Sequence, residues 1–144
     1  MSTSVSIEGQ DGRGVIRAVA YERPVATDSA DANWLTSAIE ISTGNFSGVV
    51  DGALTTEDVD QFRQDLAKAL EAGNGIAEFR TLEQILELKI ILNARGHATV
   101  FGALHSLDRP ATVLSFSFET DQSFLRRTAS DLDGIVEAFP IRLA

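Results

Sequence analysis

The amino-acid sequence predicts an α+β fold: an antiparallel, twisted sheet of seven to eight strands with two helices packed on one face, in the order ββββ-α-βββ(β)-α. Three observations carry this. Apolar residues recur with a period of two through most of the chain. The period changes to about 3.6 in two segments, one near the middle and one at the end. Turn residues divide the period-two stretches into short runs suited to hairpins. The length of 144 residues fits one core better than two, so residues 1–144 are expected to form a single α+β domain.

Each element has its own signal. Ser4 to Glu8 alternates weakly, and Gly9-Gln10-Asp11-Gly12-Arg13-Gly14 is a turn cluster. Gly14 to Glu22 reads as a second strand that Pro24 ends, and Asp28 to Asn33 as a polar loop. Trp34 to Ser42 alternates well, with Leu35, Ser37, Ile39 and Ile41 on one face and Trp34, Thr36, Ala38 and Glu40 on the other. The turn Thr43-Gly44-Asn45 leads into Phe46 to Leu54, giving an antiparallel hairpin. Thr55 or Thr56 is placed to cap the first helix, whose first turn carries Glu57, Asp58 and Asp60. Val59, Phe62, Leu66 and Leu70 form its apolar stripe, and Gly73-Asn74-Gly75 stops it.

The second half repeats the plan without repeating the residues. Ile76 to Arg80, Gln84 to Asn93, His97 to Leu104 and Thr112 to Thr120 read as strands. Arg95-Gly96 and Asp108-Arg109-Pro110 supply turns. A last helix begins near Thr120 or Asp121, with Phe124, Leu125, Leu132, Ile135, Val136 and Phe139 as its stripe, and Pro140 closes it.

Composition narrows the function. Apolar residues make up 44% and charged residues 23%, an ordinary globular balance. There are no cysteines, which excludes disulfides, thiolate metal sites and cysteine nucleophiles. Twelve basic residues face twenty-one acidic ones, a net charge of -9, which argues against binding nucleic acid through a basic surface. No apolar run approaches the roughly 20 residues that span a membrane, and no secretory signal is visible in Met1-Ser2-Thr3-Ser4-Val5. A cytoplasmic location is the resulting expectation.

Chemistry-bearing motifs are sparse. His97 and His105 share a face of one strand but would stand roughly 26 Å apart at about 3.3 Å per residue, too far to hold one metal. Gly9, Gly12 and Gly14 have the wrong spacing for a phosphate loop and read as a hairpin turn. No nucleophile elbow is present. Paired carboxylates such as Glu57 with Asp58, and Asp131 with Asp133, read as solvated helix faces. No catalysis, cofactor or metal is expected.

Charge placement says more. From Pro24 to Phe62 there is no lysine or arginine, and the stretch holds Asp28, Asp31, Glu40, Asp51, Glu57, Asp58 and Asp60. One-signed charge of this kind attracts a cationic partner and raises its on-rate. Asp51 and the three acids of the helix start are expected to form one partner-binding patch, with Glu40 as an outlying member. Trp34, the lone tryptophan, is expected in the core or half-buried.

The order of these motifs resembles a known family. Asn33-Trp34-Leu35, Ile39 and Ile41, and Gly44-Asn45-Phe46-Ser47-Gly48 are similar to the opening of the WapI-type bacterial immunity proteins, partners of the wall-associated, contact-dependent toxin WapA. The likeness continues through the acidic helix from Thr56 to Leu70, through Phe79 to Leu88 and Gly96 to Leu104, and through Phe116 to Leu125 with its Thr120-Asp121-Gln122 junction. It runs from about residue 30 to 140 and leaves out the first 25 residues. A related uncharacterised bacterial family shares the Gly96-His97 turn. The resemblance implies a non-catalytic protein that binds and neutralises the C-terminal domain of a cognate toxin, often a nuclease acting on RNA. Nucleases tend to be basic because their substrate is polyanionic, so an acidic inhibitor is complementary to one.

Two other readings fit the same residues. A curled sheet under two helices would enclose a small-ligand pocket lined by Phe101, Phe116 and Phe118. A polar sheet face carrying Thr36, Ala38, Glu40, Ser115 and Ser117, or an edge strand, would serve an oligomerising structural domain.

Overall fold

Alternation and turn chemistry produce the elements in the expected order. The computed structural model describes residues 3–25 and 28–143. The first half contains β1 (Ser4–Gly9), β2 (Gly12–Tyr21), a one-turn helix α1 (Ser29–Ala32), β3 (Trp34–Thr43), β4 (Phe46–Thr55) and α2 (Thr56–Ala72). The second contains β5 (Gly75–Arg80), β6 (Leu86–Leu92), β7 (His97–His105), β8 (Val113–Asp121) and α3 (Gln122–Ala138). The segment read as a polar loop thus holds α1, because the Asp28 carboxylate accepts a hydrogen bond from the Asp31 backbone N–H at 2.9 Å and starts a turn. Gln84 and Ile85 fall outside β6, since Gln84 takes a positive φ of 58°.

The strands do not form one continuous sheet. They form two antiparallel four-stranded sheets, ordered β1-β2-β3-β4 and β5-β6-β7-β8. Every hairpin joins chain neighbours, whereas the 17-residue α2 separates β4 from β5, and those two do not pair. α2 packs against β5, α3 packs against β1, and the helices pack against each other. Each helix therefore packs chiefly on an edge strand of the sheet that it does not directly follow.

The inner faces of both sheets and the helix stripes share one apolar cluster. Leu35, Ile39 and Ile41 of β3 meet Val59, Phe62 and Leu66 of α2 and Leu125, Leu132 and Ile135 of α3 within it. The Phe62 ring stands edge-on to Phe79 of β5, centroids 5.2 Å apart. Caps fix the helix ends. Thr55 Oγ1 accepts from Asp58 N at 3.1 Å, and the Asp121 carboxylate accepts from Phe124 N at 3.0 Å. Gly73, with φ 80°, closes α2 in a left-handed cap and donates its N–H to the Ala69 carbonyl.

The sheets join where the β1–β2 turn meets β8. Gln10 N donates to the Glu119 carbonyl at 2.8 Å, and the Thr120 hydroxyl donates to the Glu8 carbonyl. Contact is so close that a methyl group at Gly9 would lie 2.1 Å from the Glu119 oxygen, and one at Gly12 would lie 2.3 Å from the Phe118 ring. The outer edge of β1 is closed by α3: Ser6 N donates to Asp131 Oδ2 at 3.1 Å, and Thr128 Oγ1 donates to the Ser6 carbonyl at 2.9 Å. An edge whose polar groups are satisfied in this way offers no template for further pairing.

The C-terminal tail clasps the β2–β3 connection. Arg142 donates from its side chain to the carbonyls of Ala32, Pro24 and Arg23, and its backbone N–H and C=O both bond the Asn33 amide. Its guanidinium lies 3.7 Å from the centroid of the Tyr21 ring, and the Tyr21 hydroxyl donates to the Pro140 carbonyl. Burial pushes the Tyr21 phenol above its ordinary range, and the Arg142 charge acts against that shift. A raised phenol pKa contributes stability that is complete below the unfolded-state value and is lost as pH climbs through the folded one. Above about pH 10 the melting temperature should therefore fall more steeply for the native chain than for Tyr21→Phe. Parallel curves for the two would count against this coupling. Tyr21 is the one tyrosine in the sequence, so phenolate absorbance reads its titration directly.

Candidate functional site

The five acids expected to act together separate into three environments. Glu40 lies on the outer face of the first sheet, opposite Val49 of β4 and Val15 of β2. Arg13 and Arg17 of β2 share that face, so Glu40 stands in a mixed field rather than an acidic one. Asp60 is held by Arg63, whose Nη2 and Nε donate to its Oδ1 at 2.7 and 2.9 Å, while Gln64 Nε2 donates to Oδ2 at 2.8 Å. Asp60 is thereby largely neutralised.

Asp51, Glu57 and Asp58 remain as a band at the β4–α2 corner. Asp51 is exposed on the outer face of β4, and Glu57 is exposed in the first turn of α2. Asp58 is half-buried, and its Oδ2 accepts from Leu82 N at 3.4 Å, which brings the β5–β6 connection against the start of α2. That connection carries Glu83. A depression of about 510 Å³ on this corner is lined in part by Glu22, Asp51 and Glu83. Among the described residues, Glu22, Asp51, Glu57 and Glu83 take part in no ion pair. Glu22 and Glu83 escaped sequence reasoning because they lie outside the stretch from Pro24 to Phe62 and reach the band only through tertiary packing.

The remaining candidates are structural. His97 is exposed at the start of β7, and His105 is half-buried at its end, 4.0 Å from Glu87 Oε2. Among the described residues, no group of three or more His, Cys, Asp or Glu is placed to hold a metal ion. The glycine cluster forms the β1–β2 hairpin, as expected. Trp34 is half-buried. The three phenylalanines proposed to line one pocket are divided. Phe116 and Phe118 stack inside the core, whereas Phe101 points out from the opposite face of β7. The small polar residues are divided too, because Ser115 and Ser117 belong to the second sheet and Thr36, Ala38 and Glu40 to the first. No helix among the described residues is long and apolar enough to cross a membrane.

The sequence from residue 6 to residue 140 matches the model of the immunity protein WapI-like family. The chain belongs to that family. The match begins within β1, so the first strands, which the resemblance left out, are part of the family pattern. Membership identifies a WapI-type immunity protein, and a non-catalytic one. No curated protein and no solved structure matches the chain. The acidic band is thus a feature of a protein whose class acts by binding, consistent with a cognate toxin as its partner.

Proposed function

We propose that this immunity protein neutralises the C-terminal domain of a cognate toxin, a basic nuclease, by covering it with the acidic surface at the β4–α2 corner. It acts in the cytoplasm of the cell that it protects, without cofactor or metal. The observation that carries the reading is the set of unpaired carboxylates Glu22, Asp51 and Glu83 lining one depression, with Glu57 exposed in the first turn of the helix that follows β4. An uncompensated group of this kind costs self-repulsion in the free protein and is complementary to a cationic active site. Asp58 supports the band from its partly buried position, Asp60 contributes less because of Arg63, and Glu40 flanks it across the sheet.

The experiment is association kinetics with the cognate toxin domain. The double charge reversal Asp51→Lys with Glu57→Lys should slow association about tenfold or more at low salt, because steering depends on the summed field. The difference should shrink as ionic strength rises, since the screening length falls from roughly 30 Å at 0.01 M to 8 Å at 0.15 M. An on-rate that the reversal leaves unchanged at low salt would remove this corner from the interface.

A further inference from the structure

The outer edge of β4 carries a second kind of complementarity. At the two ends of β3, Gly44 N, just past the strand, bonds the Asp11 carbonyl and the Trp34 carbonyl accepts from Glu22 N, so the even-numbered residues of that strand face β2. The odd-numbered ones face β4, where they pair with Phe46, Gly48, Val50, Gly52 and Leu54. Ser47, Val49, Asp51 and Ala53 therefore direct their N–H and C=O groups away from the sheet. Among the described residues none of these groups has a partner. The edge of β1, by contrast, is closed by Asp131 and Thr128.

Exposed apolar side chains flank this edge. β4 crosses the β5–β6 connection and the adjoining ends of β7 and β8, with Gly52 against Ile85 and Gly48 against Leu104 and Leu114. Next to it runs a groove of about 380 Å³, lined mostly by apolar atoms of Phe46, Val49, Val50, Leu104, Val113 and Leu114. Phe46, Val49 and Val113 are 70%, 62% and 49% exposed. An open edge beside apolar pockets is the arrangement that accepts an added strand: main-chain bonds supply affinity, and alternate side chains supply specificity.

We propose that β4 takes up an extended segment of the toxin as a fifth strand of the first sheet, a segment with apolar residues at alternate positions and lysine or arginine between them. Alternation sends one set of side chains into the groove over Leu104 and Leu114. The other set emerges on the face that bears Asp51, beside Glu83 and Glu22. Charge selects this occupant over a second copy of the chain. A copy would bring another net -9 and a second Asp51 to the same short edge, and a charge on an edge strand works against self-pairing. The proposal rests on the immunity reading and names the segment that this surface recognises.

The test uses Val49→Pro in the full chain. The Val49 N–H points outward, so proline removes no bond of the native sheet and blocks an added strand. Its affinity for the cognate toxin domain should fall at least tenfold by titration calorimetry, with the circular dichroism spectrum unchanged. Amide exchange on the native chain needs no variant. The amides of Ser47, Val49, Asp51 and Ala53 should exchange quickly in the free protein and at least tenfold more slowly in the complex. If the toxin binds while those four amides stay fast and Val49→Pro binds within twofold of native, strand addition is wrong and the immunity reading survives. If the native chain does not bind the toxin, the immunity reading fails and takes the proposal with it. Protection of the same amides without toxin, together with a concentration-dependent mass, would assign the edge to self-association and overturn the proposal.

Discussion

Phe62→Ala is expected to destabilise the protein by about 3–5 kcal/mol, a large share of the roughly 5–15 kcal/mol that holds such a domain together. Phe62 is fully buried and sits where α2, from the first half of the chain, meets β5 of the second sheet. Removing its ring deletes the edge-on contact with Phe79 and leaves a cavity at the seam between the halves. The helix stripe is buried on both sides of it, at Val59 and Leu66, so little collapse is available. Urea unfolding should show a lower midpoint at similar slope, and the melting temperature should drop by roughly 10 °C or more. Leu82→Ala is the control, because Leu82 is 66% exposed and should change stability by less than about 0.5 kcal/mol. A Phe62→Ala midpoint no lower than that of the control would mean that α2 does not hold the halves together.

Gly9→Ala is expected to act at the other seam. The new methyl group would stand 2.1 Å from the Glu119 carbonyl oxygen and 2.7 Å from the Phe118 ring. The first obstacle is main chain, which cannot rotate out of the way as a side chain can. The β1–β2 turn must withdraw from β8, with loss of the Gln10 to Glu119 hydrogen bond. The cost should be about 1–3 kcal/mol or somewhat above, the usual range for overpacking. The Gln10 amide should exchange much faster than in the native chain, while amides within β6 and β7 stay protected. Native-like protection at Gln10 in the variant would show that the sheets tolerate separation there.

Much of this architecture is legible in the residues themselves. The period-two runs mark all eight strands, because each sheet buries one face and exposes the other. Thr55 and Asp121 announce the helix starts through side chains that accept from the first turn. The division into two sheets is not legible, because alternation specifies faces and is silent about edges. The C-terminal clasp is equally hidden. Arg142 looks like an ordinary charged residue after Pro140, and its value lies in carbonyls 110 and more positions away. The acidic band is half legible. Asp51, Glu57 and Asp58 lie within a stretch without lysine or arginine, but Arg63 withdraws Asp60 and packing adds Glu83 and Glu22.

The exchange of helices between the sheets sets an order for synthesis. Ser6 waits for Thr128 and Asp131, which follow it by 122 and 125 positions. A ribosome adding about 5–20 residues per second leaves the β1 edge bare for on the order of ten seconds. In that interval the first sheet has both edges open and lacks the α3 stripe that completes its core. A nascent chain cut short before α3 retains most of its strands and none of that closure, so premature stops should yield aggregation-prone fragments rather than weakened inhibitors. The β1 edge and the shared core are therefore completed only after α3 has been made.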